Sequence, residues 1–96
     1  MAQLMLGNLV LTCNVMELQQ VNAKFANHIL RSLQRYTRCD WGEMDDEGIE
    51  MNDMAIGPNE DEVLAIYLHP ENPSWEIWIK TKADRSATFI LFPNEY

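Results

Sequence analysis

Between Arg38 and Lys80 the chain has no lysine and no arginine, and this gap holds twelve of its fifteen carboxylates, ten of them from Asp40 to Glu62. With a formal charge of −8, direct binding to DNA, RNA or anionic lipid is not expected, because phosphates and this chain repel one another. The four glycines never stand in a phosphate-cradling pattern, and none flanks Ser86 in the way a nucleophile elbow requires. Two cysteines, Cys13 and Cys39, are too few for a disulfide framework, so free thiols are expected. The histidines, His28 and His69, have no cysteine or acid at zinc-ligand spacing, and the acids from Asp45 to Asp53 lack the alternation of a calcium loop. No metal, cofactor or catalytic residue is expected. No apolar run reaches the roughly 18 residues of a membrane span, and Met1 to Thr12 lacks the marks of a signal peptide, so a cytoplasmic location away from membranes is expected.

What is present is enough for a core. An apolar fraction of 47% over 96 residues predicts one folded domain. Gly7 to Cys13 reads as a strand entered through a glycine. Asn14 and Glu17 have the spacing of a capping box, which predicts a helix from Val15 to Thr37. Leu18, Val21, Phe25, Ile29, Leu33 and Tyr36 recur at helical spacing as its apolar stripe, with Lys24, His28, Arg31, Arg35 and Arg38 behind them.

After Arg38 the charge changes sign. Asp40 with Glu43, or Asp45 alone, is a candidate cap for a second helix near Met44 to Ile56. Its wheel predicts an acidic arc of Glu43, Asp46, Glu47, Glu50 and Asp53, with Met44, Gly48, Met51, Met54, Ala55 and Ile56 facing away. Gly57-Pro58-Asn59 ends it. Glu60, Asp61 and Glu62 then lead into a buried strand from Val63 to His69. After the turn Pro70 to Ser74, Trp75 to Thr81 alternates, with Trp75, Ile77 and Ile79 on one side and Glu76, Trp78 and Lys80 on the other. Ala87 to Phe92 is the last strand, reached through a turn at Asp84 to Ser86. The expected fold is α+β: two helices on one face of a small antiparallel sheet, formed by a three-stranded C-terminal meander plus an N-terminal strand.

Two further features bear on function. Arg38 beside Cys39 is a setting that can activate a thiol, but no cysteine-enzyme motif surrounds it, and a structural thiol beside Trp41 is the expected role. Trp78, sharing a face with charged residues, is a candidate contact residue, and with Tyr67 it is a candidate homodimer face.

Cys39-Asp40-Trp41-Gly42, the acids that follow, Asn52-Asp53-x-Ala55, Trp78-Ile79-x-Thr81-x-Ala83-Asp84-Arg85-Ser86 and Leu91-Phe92-Pro93-x-Glu95-Tyr96 together resemble a family of small plasmid-related proteins of bacterial mobile elements. The resemblance implies an accessory protein of such an element and carries no catalytic residues. Mobile elements must evade host restriction and CRISPR systems. Carboxylates about 5 to 6 Å apart on a helix can occupy a basic groove that otherwise receives DNA phosphates. The expectation is therefore an inhibitor that binds a basic nucleic-acid-binding protein through Glu43, Asp46, Glu47, Glu50, Asp53, Glu60, Asp61, Glu62 and Trp78. Two rivals stand beside it: an acidic face that is only solvated, and a nucleic-acid contact through the basic stripe of the first helix.

Overall fold

The computed structural model describes residues 4–56 and 61–96, in the order β1 Asn8–Leu11, α1 Cys13–Val21, α2 Ala23–Thr37, α3 Asp46–Ala55, β2 Val63–Tyr67, β3 Ile77–Thr81 and β4 Ala87–Leu91. Short 3-10 turns at Pro73–Trp75 and Pro93–Glu95 flank β3 and β4. The fold is α+β, and the sheet order is β1-β4-β3-β2.

Alternation decides which side of the sheet is covered. Val63, Ala65, Tyr67, Ile77, Ile79, Thr81, Thr88 and Ile90 are buried on the side that receives Val15, Phe25, Ile29 and Tyr36 from the helices. The residues between them, Leu64, Ile66, Trp78, Lys80 and Phe89, point to the other side and are only half-buried. β2, β3 and β4 form the expected antiparallel meander. β1, however, pairs parallel with β4, so the sheet is mixed and not purely antiparallel. Its direction follows from how it is held at both ends. Asn8 N donates to Ser86 O at the start of β4, and beyond its other end Thr12 Oγ1 and Asn14 Nδ2 donate to the Glu95 carboxylate at 2.8 and 3.1 Å.

That carboxylate also changes the first helix. Asn14 is committed to Glu95, so it does not form the expected capping box with Glu17, and Thr12 precedes the helix without a side-chain cap. Burial works the other way, but the Phe92 amide, the Thr12 hydroxyl and the Asn14 amide hold the Glu95 carboxyl below its usual range. The single long helix is in fact two. Asn22 takes extended backbone angles and its side chain accepts from Phe25 N at 3.1 Å, which starts α2 afresh. Asparagine readily makes this exchange of a helical bond for a capping bond. As a consequence Val21, expected in the apolar stripe, points to solvent. Trp75 likewise leaves its expected strand for the 3-10 turn, where its ring meets Phe25 edge-on at 5.7 Å.

The core contains one polar line. Tyr36 Oη lies 2.7 Å from Thr81 Oγ1, Thr81 Oγ1 lies 2.8 Å from Thr88 Oγ1, and Thr88 Oγ1 donates to Leu6 O at 2.7 Å. Each hydroxyl has one proton. Since Thr88 donates to Leu6, the consistent orientation runs Tyr36 to Thr81 to Thr88 to Leu6, and it ties α2, β3, β4 and the N-terminal segment together. Burial pushes the Tyr36 phenol up to about 12, so it remains a donor. Thr88→Val keeps the shape but leaves Leu6 O and the Thr81 proton unpaired. Urea unfolding should show a loss of about 1–3 kcal/mol, and a change within about 0.5 kcal/mol, the usual range for a surface substitution, would contradict this reading of the chain.

Candidate protein-binding surface

α2 ends in a backbone motif that aims the next segment. Cys39 N donates to Tyr36 O and Asp40 N to Arg35 O, with Cys39 at φ 64°, the left-handed position that glycine usually fills. Asp40 is then held from two sides. Its carboxylate accepts from Arg35 Nε and Nη2 at 2.9 and 3.2 Å, and its carbonyl accepts from Tyr67 Oη at 2.6 Å. Gly42 follows at φ 71°, where a Cβ would sit 2.1 Å from Ile66 O, so no other residue fits this approach to β2. Glu43 N donates to Ile66 O at 2.7 Å.

Of the two candidate caps, Asp45 starts α3, its side chain accepting from Gly48 N at 2.7 Å. Seven residues on, the buried amide of Asn52 faces β2, donating to Leu64 O at 2.7 Å and accepting from Leu64 N at 3.3 Å. The outer edge of β2 is thus closed by the segment from Gly42 to Asn52 instead of by another strand.

With Asn52 and Ala55 turned inward, Asp46, Glu47, Glu50 and Asp53 all face solvent. Glu43 lies before the helix and not on it, yet it is exposed beside the others. Among the described residues, none of these five carboxylates has a Lys, Arg or His nitrogen within ion-pair distance. Asp53 accepts from Trp41 Nε1 at 2.9 Å, which fixes the indole under the helix. The arc expected to face away is partly displaced. Ile49, Asn52 and Ala55 take the inner side, while Met51 and Met54 are 65% and 67% exposed. Met54 stands four residues after Glu50, hence on the acidic side itself. The methionines, with Met44, Leu64, Asp61 and Glu62, line a groove of about 470 Å3 between α3 and β2.

The remaining expected site residues are distributed differently. Glu60 lies outside the described residues. The Asp61 side chain accepts from Glu62 N, and Glu62 is paired with half-buried Lys80 through Nζ at 2.9 Å, an ion pair that spends its charge internally. Trp78 lies on the less buried side of the sheet, donating to Glu76 at 2.7 Å and meeting Tyr96 edge-on at 5.1 Å. Tyr67 is fully buried on the opposite side. The sheet therefore separates the Trp78–Tyr67 pair expected for a homodimer face, since Trp78 of β3 pairs with Ile66 and the next residue of β2, Tyr67, faces the other side. Burial, with Asp53 nearby, pushes the Cys39 thiol up, which suits a structural thiol and not an activated one.

The histidines, far apart in sequence, meet in the fold. His28 is only 8% exposed, not on the outer basic face, and its Nε2 donates to Trp75 O at 3.0 Å. Its ring stands edge-on to His69 at 5.0 Å, and His69 edge-on to Trp75 at 4.9 Å. Only the turn at Pro70 to Trp75 brings them together, so no spacing rule could reveal it. Among the described residues no three His, Cys, Asp or Glu side chains converge as a metal site, and no helix is long and apolar enough to cross a membrane.

Asn52→Ala should cost about 1–3 kcal/mol by exposing both Leu64 groups without partners, and hydrogen exchange should show lost protection at the Leu64 amide; unchanged exchange there would contradict the edge-closing role. His28 has its pKa lowered from the ordinary 6.5 by burial first and by His69 second. As pH falls below about 6.5, the unfolded chain binds the proton before the folded one does, so stability drops through that window. Urea unfolding at about pH 7.5 and pH 5.5 should show this decline, and His28→Gln should flatten it. An equal slope in both proteins would assign the decline elsewhere. Comparison with known proteins adds no name to this geometry: no family model, no curated protein and no solved structure matches the chain.

Proposed function

We propose that the protein acts by binding, without catalysing a reaction, and that its partner is a basic nucleic-acid-handling protein of a host defence system, in the manner of an anti-CRISPR or anti-restriction inhibitor carried by a mobile element. One observation carries this reading: Glu43, Asp46, Glu47, Glu50 and Asp53 are exposed together, and no described cation neutralises any of them. A cluster of like charges destabilises its own helix by a few tenths of a kcal/mol per close pair, so leaving it uncompensated fits a surface kept for a cationic partner. Opposite charge would steer the encounter, and the exposed Met51 and Met54 supply adaptable apolar contact where the partner seats. The resemblance to plasmid-related proteins supplies the biological setting.

The test is capture from nuclease-treated bacterial lysate on the immobilised protein, with the captured proteins identified by mass spectrometry. Nucleic-acid-handling proteins should be enriched, released by high salt and displaced by excess duplex DNA. Glu47→Lys with Glu50→Lys should abolish capture without unfolding the chain, since neither side chain has a described partner. Asp53 is spared in this variant because it holds Trp41. Undiminished capture by the doubly reversed variant, or indifference to competing DNA, would contradict the proposal.

A further inference from the structure

The groove between α2 and the loop from Leu68 to Glu71 encloses about 400 Å3 and gathers Lys24, His28, Arg31, Arg35 and His69. Three of the chain's seven lysines and arginines thus line one concavity of a protein whose net charge is −8. Cations that serve only solvation spread apart in water, whereas these line the same concavity, where their fields add.

Their donor capacity is also unspent. Among the described residues, Lys24 and Arg31 have no carboxylate within ion-pair distance. Arg35 gives Nε and Nη2 to Asp40 and retains Nη1. His69 accepts the Glu71 amide at Nδ1, which leaves the proton of the neutral ring on Nε2 as a donor. His28, held by Trp75 O and stacked edge-on to His69, makes the imidazole floor rigid before any ligand arrives.

We propose that this groove is a binding site for a small phosphate-bearing anion, with Lys24 and Arg31 as the principal charges and His69 as a hydrogen-bond donor. Phosphate suits it better than a simple carboxylate, because a dianion with several acceptor oxygens can use donors from both walls at once. Glu71, exposed in the same lining, opposes the entry of any anion. The site is separate from the acidic face of α3 and does not depend on the function proposed for that face.

The chain has two histidines, and both line the groove, so their imidazole proton resonances report on it without ambiguity. Titration with inorganic phosphate and with pyrophosphate at constant ionic strength should shift both sets of resonances to saturation. Lys24→Ala with Arg31→Ala should weaken the response by about tenfold or more, equivalent to about 1.4 kcal/mol of binding, while Glu71→Gln should strengthen it. All three substitutions are of exposed side chains, so circular dichroism should confirm an unchanged fold. Linear, unsaturable shifts, or equal saturation in the doubly substituted variant, would overturn the proposal. So would resonances that respond to a short oligodeoxynucleotide but not to pyrophosphate, which would make the groove part of a nucleic-acid track.

Discussion

A single buried amide sets the orientation of the acidic surface. Asn52 sits on α3 with both of its hydrogen-bonding atoms committed to the backbone of Leu64, and this fixes the rotation of the helix about its own axis. Once Asn52 points at β2, residues six and two positions before it and one after it must point away, and these are Asp46, Glu50 and Asp53. The same bonds close the edge of β2, which would otherwise present unpaired groups to any passing strand. Edge protection and charge display are therefore one structural event. The Gly42 approach and the Asp40 anchorage at Tyr67 bring the segment to the edge at the right height, and the Trp41–Asp53 bond holds the helix down from its far side.

The charges of the chain are sorted by this arrangement. Carboxylates of α3 face outward along one edge of the sheet, while Lys24, Arg31 and Arg35 lie along α2 and its groove. Where acid and base meet among the described residues, at Arg35–Asp40 and Lys80–Glu62, the pairs are partly exposed, and such solvent-accessible pairs add only about 0–1 kcal/mol. They serve position more than stability. Stability comes instead from the layer between helices and sheet, where Phe25, Ile29, Tyr36, Ile77, Ile79 and Ile90 are packed and the Tyr36–Thr81–Thr88 line satisfies the polar groups left among them.

Local rules made much of this legible. The alternation in Ile77–Thr81 and the turn chemistry at Asp84–Ser86, where the Asp84 carboxylate accepts from Ser86 N and Oγ, are short-range and hold in the fold. The exposure of Asp46, Glu47, Glu50 and Asp53 could likewise be read from their spacing. Met54 was legible too, because a residue four after Glu50 shares its side. Treating methionine as an inward residue concealed that. Other features needed partners distant in sequence. Asn22 breaks the first helix by capping a new one. β1 takes its parallel direction from Ser86 and Glu95, and His28 finds His69 only through a turn that no helical wheel contains. Asn52, polar and mid-helix, reads as surface until its acceptor and donor on Leu64 are known.

Carboxyl footprinting tests the proposed use of α3 most directly, by labelling Asp and Glu side chains in the free protein and again in complex with a captured partner. Asp46, Glu47 and Glu50 should label readily when free and be protected in the complex, while Glu71, beside the basic groove, stays equally reactive in both. Protection of Glu71 with undiminished labelling along α3 would place the partner on the opposite charge and contradict the assignment.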